Sequence, residues 1–401
     1  QLSMSSKKLF LICCFSILFS CCYFFASDLY VPSLPDIMRS FNANSSAVQF
    51  SVSGFLFAIG FSQIVYGSLS DKHGRKPILL IALCIMLLGT LICIFSTNIW
   101  MFNTGRVVQG IGAGGFAANV NTIARDVMTE EQFIKIWPWV SISFTVIPSI
   151  SPALGGYLQS IDGWFTNFMF LLIFQALLFL LLVFLFKETH LHKDPNAVKI
   201  KIIINNYKKM LSHKRFMLYS SISVCGLSGL IFFYTVGPFI YIHELGYDPQ
   251  TFGWLAFSLV IFMFIGRLTN ALYTSKRFSQ NINILIFSMV SLSGSLFAVI
   301  ASIVGLLPDY AVLIGVMCFC LGSGVMNPNS STQALSIFKE AKGASGALFG
   351  CIFLIGPGIA SSIAMLLPNK LIIIAIFLLC LSILSVFSIT LILYSASTQN
   401  R

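Results

Sequence analysis

Two charged residues of this sequence lie inside long apolar stretches, where a charge is costly. Asp28 interrupts an apolar run that begins near Leu9, and Arg106 lies five residues into a second run, 101–124. A charge within a membrane-spanning helix costs about 2.5–3.5 kcal/mol, so such residues are usually kept for function. An aspartate that alternates between a proton and an arginine partner would carry protons. The alternative is a static ion pair, or an aspartate placed at a helix kink near Pro32.

A short polar turn between two other apolar runs carries a second set of reactive side chains, Gly67, Asp71, Gly74 and Arg75. Glycine permits a tight bend and a close approach of helices. The Asp71 carboxylate can cap the positive end of a helix, and the Arg75 guanidinium can pair with a carboxylate, for which Asp126 is the candidate. We predict that these contacts of Asp71 and Arg75 act as a latch, which keeps helix ends together and so holds a gate closed. The alternative is a basic turn that only fixes the orientation of the chain in a membrane.

The composition requires a membrane to hold these residues. The chain is 57% hydrophobic and 9% charged, and its mean hydropathy is +0.89. About 20 apolar residues cross a bilayer core of about 30 Å. The predicted fold class is therefore all-α integral membrane. The apolar runs predict twelve transmembrane helices, at 9–38, 47–69, 77–96, 101–124, 136–158, 164–186, 217–243, 251–272, 283–306, 310–337, 345–367 and 370–394.

The basic residues predict the orientation of these helices. All but four of the 24 Lys and Arg fall in loops or tails on one side. Arg39 and Lys370 fall on the other side, and Arg106 and Arg267 lie within spans. The positive-inside bias places the basic side, and with it both termini, in the cytosol. The same positions account for the net charge of +11 without a nucleic-acid partner.

This orientation brings Asp28 and Arg106 to similar depths. At a rise of 1.5 Å per residue, Arg106 lies roughly 7–8 Å and Asp28 roughly 10–15 Å from the outer ends of their helices. Both therefore fall in the outer half of the membrane, and we expect them to meet.

An internal repeat predicts two pseudo-symmetric halves. The segments 112–124 and 322–334 share two Gly, an Asn, a Thr and an Ala at a constant offset of 210. Repeated six-helix halves are typical of transporters, which bind substrate between them near the midplane. The alternative is chance similarity between helices rich in small residues. The predicted division is a half at 1–186, a cytoplasmic linker at 187–216 and a half at 217–401.

The turn at 67–77 resembles the signature between helices 2 and 3 of the major facilitator superfamily. The resemblance covers nearly the whole chain. Within the superfamily, the chain is similar to the bicyclomycin-resistance (Bcr/CflA-type) branch of proton-coupled drug exporters. It is carried further by Asp28-x-Tyr30-x-Pro32-x-x-Pro35, Arg106-Val-Val-Gln-Gly110, Arg125-Asp126, Pro148-x-x-x-Pro152-x-x-Gly155-Gly156, Asn327-Pro-Asn329 and the segment 343–350. The chain departs from the fuller helix 5 motif at Ile147 and Ser151, where relatives have glycine.

The resemblance implies the major facilitator fold and a set of site residues. Asp28 and Arg106 would couple protons, and Asp71 would cap helix 11 of the other half. The substrate cavity would be lined by helices 1, 4, 7 and 10, with Tyr30, Asn119, Tyr234, Phe239, Asn327, Asn329 and Gln333 as candidates. A mostly apolar cavity of this kind suits amphipathic solutes of varied shape.

We interpret the chain as a proton-coupled exporter of small amphipathic molecules such as drugs, siderophores or amino-acid derivatives. It is expected in a bacterial inner membrane as a monomer, with no cofactor and no metal, driven by the proton gradient. An importer or facilitator on the same fold is the first alternative. A receptor on a transporter scaffold is the second. No nucleophile–base set, metal cluster or phosphate loop predicts an enzyme.

Overall fold

The computed structural model describes residues 6–190, 200–338 and 342–399, which are helical apart from short connections. The helices are α1 (Ser6–Asp28), α2 (Leu34–Ser40), α3 (Ser45–His73), α4 (Arg75–Ile94), α5 (Ile99–Val127), α6 (Glu130–Phe184), α7 (Ile200–Leu211), α8 (Lys214–Pro238), α9 (Pro249–Thr269), α10 (Ser275–Arg277), α11 (Gln280–Val304), α12 (Pro308–Ser336), α13 (Lys342–Ala364) and α14 (Leu371–Gln399). A 3₁₀ turn, Val31–Ser33, separates α1 from α2, and π-helical turns follow α8 and α9 at Phe239–Glu244 and Asn270–Thr274.

Within the described chain, ten helical segments are long and apolar enough to cross a membrane. One of them, 142–184, lies in the 55-residue α6, whose backbone leaves the helical region at Asp162 and Gly163. Gly163 has φ +70°, a conformation that favours glycine. The outer turn expected between helices 5 and 6 is thus a sharp kink.

The linker contains a helix that the sequence analysis did not predict. Residues 187–216 were expected to be a polar connection, yet α7 spans Ile200–Leu211. Its buried Met210 and half-buried Tyr207 join the core of the second half, whereas Lys208 and Lys209 are exposed. Isoleucine and lysine close together give an amphipathic helix, which a search for long apolar runs overlooks.

Polar residues at the turns begin the long helices by capping their free N–H groups. The Asn44 side chain accepts from Ala47 N at 2.8 Å, and Asn98 accepts from Met101 N at 2.9 Å. After the kink of α6, a free backbone N–H is capped in the same way by a side chain of another helix, α2. Asp36 Oδ2 accepts from Trp164 N at 3.0 Å.

The chain divides into two units, Gln1–Ile200 with Asp248–Gly253, and Lys201–Tyr247 with Trp254–Arg401. In the first unit α5 lies against α3 and α4, and α1 lies against α5 and α6. A cluster of aromatic rings closes one end of this unit. Phe102 lies 5.3 Å from Phe168 and 5.7 Å from Trp164, measured between ring centroids.

The second unit repeats part of this arrangement. Here α12 lies against α11 and α8, and α8 also lies against α13 and α14. Gly112 of α5 approaches the backbone of α4, and Gly322 of α12, at the offset of 210, approaches the backbone of α11. Serine hydroxyls join these helices, as in the pair Ser223–Ser330 at 2.6 Å.

Candidate functional site

Arg106 is completely buried among groups of the first unit. Its guanidinium carbon lies 4.1 Å from the ring centroid of Tyr30 and 4.2 Å from that of Phe55, so two aromatic rings flank the cation. Nη1 donates to the carbonyl oxygen of Ala26 at 2.8 Å and also to Gln109 Oε1. Nε and Nη2 have no hydrogen-bond partner among the described residues. The site therefore holds a buried cation with unused donors.

Asp28 lies in the same region without pairing directly with Arg106. It is 6% exposed, at the last residue of α1, and its carboxylate accepts a hydrogen bond from Ser27. Within the described range 6–190, no ion pair shorter than 4 Å joins Asp28 to Arg106. Arg106 instead donates to the carbonyl oxygen of Ala26, two residues before Asp28. The two charges still interact electrostatically. Asp28 and Arg106 therefore lie in the same region, as expected, but they do not form a direct contact.

A chain of buried polar groups extends from Arg106 across three helices. Gln109 Nε2 donates to Thr90 Oγ1 at 2.8 Å, and Thr90 Oγ1 donates to Gln175 Oε1 at 2.8 Å. All four side chains are buried. Because an unpaired polar group in such a place is costly, each member helps to hold the next. Thr90 and Gln175 could not be predicted as members of the site, since a lone polar residue in an apolar helix does not reveal its partners.

The polar turn of the sequence forms the second part of the site. Gly74 ends α3 and precedes α4 with φ +105°, a value that favours glycine. The bend places Arg75 at the first position of α4, and its side chain is only 4% exposed. The glycine conformation thus sets the start of α4 and the position of the guanidinium.

Arg75 joins the ends of three helices. Its Nε donates to Asp126 Oδ2, near the end of α5, at 2.8 Å. Its Nη1 donates to Asp71 Oδ1 at 2.6 Å and to Ser70 Oγ at 2.5 Å, both in the last turn of α3. A longer contact of 3.5 Å reaches Asn119 Oδ1. Charge-assisted hydrogen bonds of this kind are stronger than those between neutral groups.

Glu188 completes this cluster and was not predicted as a site residue. Its Oε1 accepts from Arg75 N at 2.8 Å and its Oε2 accepts from Lys76 N at 3.1 Å, so it caps the N-terminus of α4. Partial burial tends to raise the pKa of Glu188, but the backbone N–H groups of His190, Arg75, Lys76 and Thr189 outweigh burial and hold it below its ordinary value. An acid two residues after predicted helix 6, at the start of a basic linker, was the available signal.

Gly67 does not have the local role that we expected. A methyl group on Gly67 would meet nothing within 4 Å, and its φ is not positive. Neither a tight bend nor a close contact within the described residues requires glycine there. The bend belongs to Gly74 alone.

The helix 5 motif lies in α6, where Pro148, Pro152, Gly155 and Gly156 are all helical. A methyl group on Gly155 would overlap the carbonyl oxygen of Leu29, directly after α1. Only glycine allows the two backbones to approach so closely. The motif therefore holds α6 beside the end of α1 that carries Asp28.

The second unit contains a neutral counterpart of the Arg75 cluster. Asn270 and Thr274 follow Gly266 at the spacing at which Asp71 and Arg75 follow Gly67. Thr274 Oγ1 donates to Asn270 Oδ1 at 3.2 Å, and Asn329 Nδ2 donates to the same oxygen at 2.9 Å. Asn119 and Asn329 correspond in the repeat, and each donates to the carbonyl four residues before it.

The remaining predicted cavity residues lie within their own units. Tyr30 is fully buried, with its hydroxyl 2.9 Å from Ser51 Oγ. Gln333 Nε2 donates to Gln280 Oε1 at 2.7 Å. Tyr234 and Phe239 are buried, and Asn327 is half-buried. Asn119 and Asn329 belong to the two polar clusters, because their amides are used by Arg75 and Asn270.

The chain matches the Major Facilitator Superfamily over residues 16–361. It is 24% identical over 341 residues to the bicyclomycin resistance protein homolog of Haemophilus influenzae, covering 85% of each chain. It is 26% identical over 346 residues to multidrug resistance protein D of Escherichia coli, covering 86% of each chain.

Solved structures share the fold at much lower identity. The POT family transporter PepTSo matches with a TM-score of 0.75 and 10% identity, covering 97% of this chain and 98% of that one. The xylose transporter XylE from E. coli, in a partially occluded inward-open conformation, matches with a TM-score of 0.72 and 14% identity, covering 95% and 97%.

The resemblance inferred from the motifs, including the bicyclomycin-resistance branch, is confirmed by these matches. The relatives are transporters and resistance proteins, so the interpretation as a transporter rather than an enzyme is confirmed as well. The apolar helices, the charged turn before α4, the buried arginine of α5 and the family match over 16–361 lead to one conclusion: the chain is a multi-pass membrane protein that belongs to the Major Facilitator Superfamily.

Proposed function

We propose that this transporter exports small amphipathic molecules in exchange for protons, by alternating access. The observation that carries the proposal is the buried Arg106, flanked by Tyr30 and Phe55, with two donors unused and Asp28 nearby. Protonation of Asp28 would weaken its attraction to Arg106, and loss of the proton would restore it. The export of drugs rests on the names of the two resistance proteins to which the chain is similar.

We place the protein in a bacterial inner membrane as twelve transmembrane helices in two six-helix halves, with both termini in the cytosol. Among the residues that the structure describes, ten spans meet the criteria of length and composition. The kink of α6 divides one of them, and the 29-residue α5 is long enough to be another. The distribution of Lys and Arg supports the orientation. We expect a monomer without cofactor or nucleic-acid partner, driven by the proton gradient.

We assign the Arg75 cluster to the cytosolic gate. Arg75 holds α3, α4 and α5 together through Asp71 and Asp126, and Glu188 ties the end of α6 to the start of α4. Such a cluster makes the inner end of the first half a rigid body that can move as a whole. That Asp71 also caps predicted helix 11 stays a prediction.

Flux measurements test the proposal. A thermal-shift screen of the purified protein against antibiotics and metabolites selects a ligand, and its movement is followed in everted vesicles with and without a protonophore. We expect protonophore-sensitive flux that Asp28→Asn and Arg106→Ala each abolish at unchanged protein level. If flux remains coupled to protons in both variants, Asp28 and Arg106 are not the proton-coupling residues. Uptake by whole cells without resistance would favour the importer.

A further inference from the structure

The second unit contains a cavity that the transport mechanism does not use. It has a volume of about 430 Å³ and is lined by His213, Lys214, Arg215, Leu218, Ile337 and Ser395. This volume lies in the range of about 300–1,000 Å³ that is typical of small-molecule sites.

The cavity lies where three helices end. Lys214 is the first residue of α8 and of its apolar span. Ser395 is the last residue of the apolar span in α14, and Ile337 follows directly after α12. A residue at the end of an apolar span lies at the level of the lipid headgroups. The cavity therefore faces the layer that contains phosphates, whichever side of the membrane this end occupies.

The lining is cationic at one side and apolar at the other. Lys214 is exposed, so its ammonium group can approach an anion, and the half-buried Arg215 places a second positive charge beside it. An Arg guanidinium binds phosphate oxygens with two parallel hydrogen bonds, and Lys adds a point charge. Leu218 and Ile337 belong to the edge of the buried core of the second unit, which gives the cavity an apolar floor. A phosphate that carries alkyl chains matches both sides.

His213 supports the shape of the site rather than its charge. Its Nδ1 accepts from Phe216 N at 3.4 Å, which caps α8. Its ring stands edge-on to Phe338, with centroids 5.3 Å apart. These two contacts hold the ring in place beside Lys214.

The amphipathic α7 leads directly into this cavity. It ends two residues before His213, with Tyr207 and Met210 against the core and Lys208 and Lys209 exposed. An amphipathic helix with lysines on its polar face is suited to the membrane surface. Basic pockets between membrane helices commonly bind anionic headgroups.

We propose that the cavity between α8, α12 and α14 binds an anionic phospholipid, with its headgroup phosphate at Lys214 and Arg215 and its first methylenes on Leu218 and Ile337. The shared chemistry is that of a phosphate group with a net negative charge, which phosphatidylcholine lacks because its choline cation neutralises the phosphate. A soluble phosphate is the other source of that chemistry, and the apolar floor favours the lipid.

Lipid binding to the purified full chain tests this proposal. Native mass spectrometry measures binding of dioleoylphosphatidylglycerol and, separately, of dioleoylphosphatidylcholine. We expect a preference of at least about tenfold for phosphatidylglycerol. The double variant Lys214→Gln/Arg215→Gln should bind phosphatidylglycerol about 30-fold more weakly, since each cation near an anionic surface contributes about a fivefold factor.

A matched control separates this site from diffuse charge. Lys208→Gln/Lys209→Gln removes the same number of charges from the exposed face of α7 and should keep the preference. Leu218→Phe fills the floor without changing charge and should weaken binding, which keeps the test valid if the double variant unfolds. Equal losses in both double variants, or no preference in the unmodified chain, would overturn the proposal. Inorganic phosphate that displaces phosphatidylglycerol at constant ionic strength would reassign the cavity to a soluble anion and overturn the lipid assignment.

Discussion

Arg106 donates through Nη1 to the carbonyl oxygen of Ala26 at 2.8 Å, and this bond joins α5 to α1 two residues before Asp28. The guanidinium is thereby fixed by the backbone, and its charge remains available. A carboxylate that is close but not paired can gain or lose a proton without breaking a structural contact. This relationship is the physical basis for assigning proton coupling to these two residues.

The rings beside Arg106 give a first prediction. Tyr30→Leu removes one flanking ring, and cation–π contacts contribute about 0.5–2 kcal/mol, so we expect flux to fall by up to about 30-fold. Tyr30→Phe keeps the ring and loses the hydroxyl with its contact to Ser51, so it should lower flux less than threefold. Both are measured in everted vesicles at equal protein level. Equal effects of the two variants would assign the role to the hydroxyl.

The buried polar chain gives a second prediction. Thr90→Val keeps the shape of the side chain and leaves Gln109 Nε2 and Gln175 Oε1 without their shared partner. Hydrogen bonds between membrane helices average about 0.6 kcal/mol, with a maximum of about 1.7 kcal/mol, so we expect a loss of about 1 kcal/mol in unfolding free energy. Thr90→Ser keeps the hydroxyl and serves as the control. Equal stability of the valine and serine variants would show that the hydroxyl of Thr90 does not hold the two glutamines.

The two carboxylates of Arg75 should differ in their contributions. The Asp126 side chain is 19% exposed and the Asp71 side chain is 45% exposed, so water screens the second pair more. Asp126→Asn should destabilise by about 1.5–3 kcal/mol, and Asp71→Asn by no more than about 1 kcal/mol. Thermal unfolding in detergent measures both. A larger loss of stability in Asp71→Asn than in Asp126→Asn would show that solvent exposure does not set the relative strength of the two ion pairs.

Glu188 predicts an acid-dependent loss of stability. A group whose pKa is lowered by folding stabilises above its ordinary pKa, and that stabilisation is lost as the pH falls through the lowered value. The contribution of Glu188 should therefore be complete at pH 7, decline as the pH falls below its ordinary pKa of 4.5, and be lost only below the lowered value. Glu188→Gln should be less stable than the unmodified chain at pH 7, with a difference that shrinks toward pH 3.5. A constant difference across this range would exclude charge as the cause.

The two glycines of the motifs should respond in opposite ways to alanine. Gly155→Ala places a methyl group against the Leu29 carbonyl, and overpacking of this kind costs about 1–3 kcal/mol. Gly67→Ala meets no neighbour and should stabilise α3 by up to about 1 kcal/mol through helix propensity. Expression level and the thermal midpoint measure both. Similar behaviour of the two variants would contradict the close approach of α6 to Leu29.

Much of the helix pattern could be predicted because a membrane imposes a length on every apolar run. Predicted helix 4 at 101–124 corresponds to α5 at Ile99–Val127, and predicted helix 3 at 77–96 corresponds to α4 at Arg75–Ile94. The linker helix α7 escaped prediction, because a short amphipathic helix has no such length requirement. The family could be predicted from the turn at 67–77 because its charged residues join adjacent helix ends. Only a fixed spacing of these residues along the chain allows those contacts.

The sequence by itself determined that the chain is a membrane transporter and which of its charged residues lie within spans. Only the tertiary structure decided what those charges contact. Arg106 binds the Ala26 carbonyl and Gln109 rather than Asp28, and Glu188 caps α4 across 113 residues of chain. The physical reason is that hydropathy and spacing act along one helix, whereas hydrogen-bond partners are chosen by the packing of several helices.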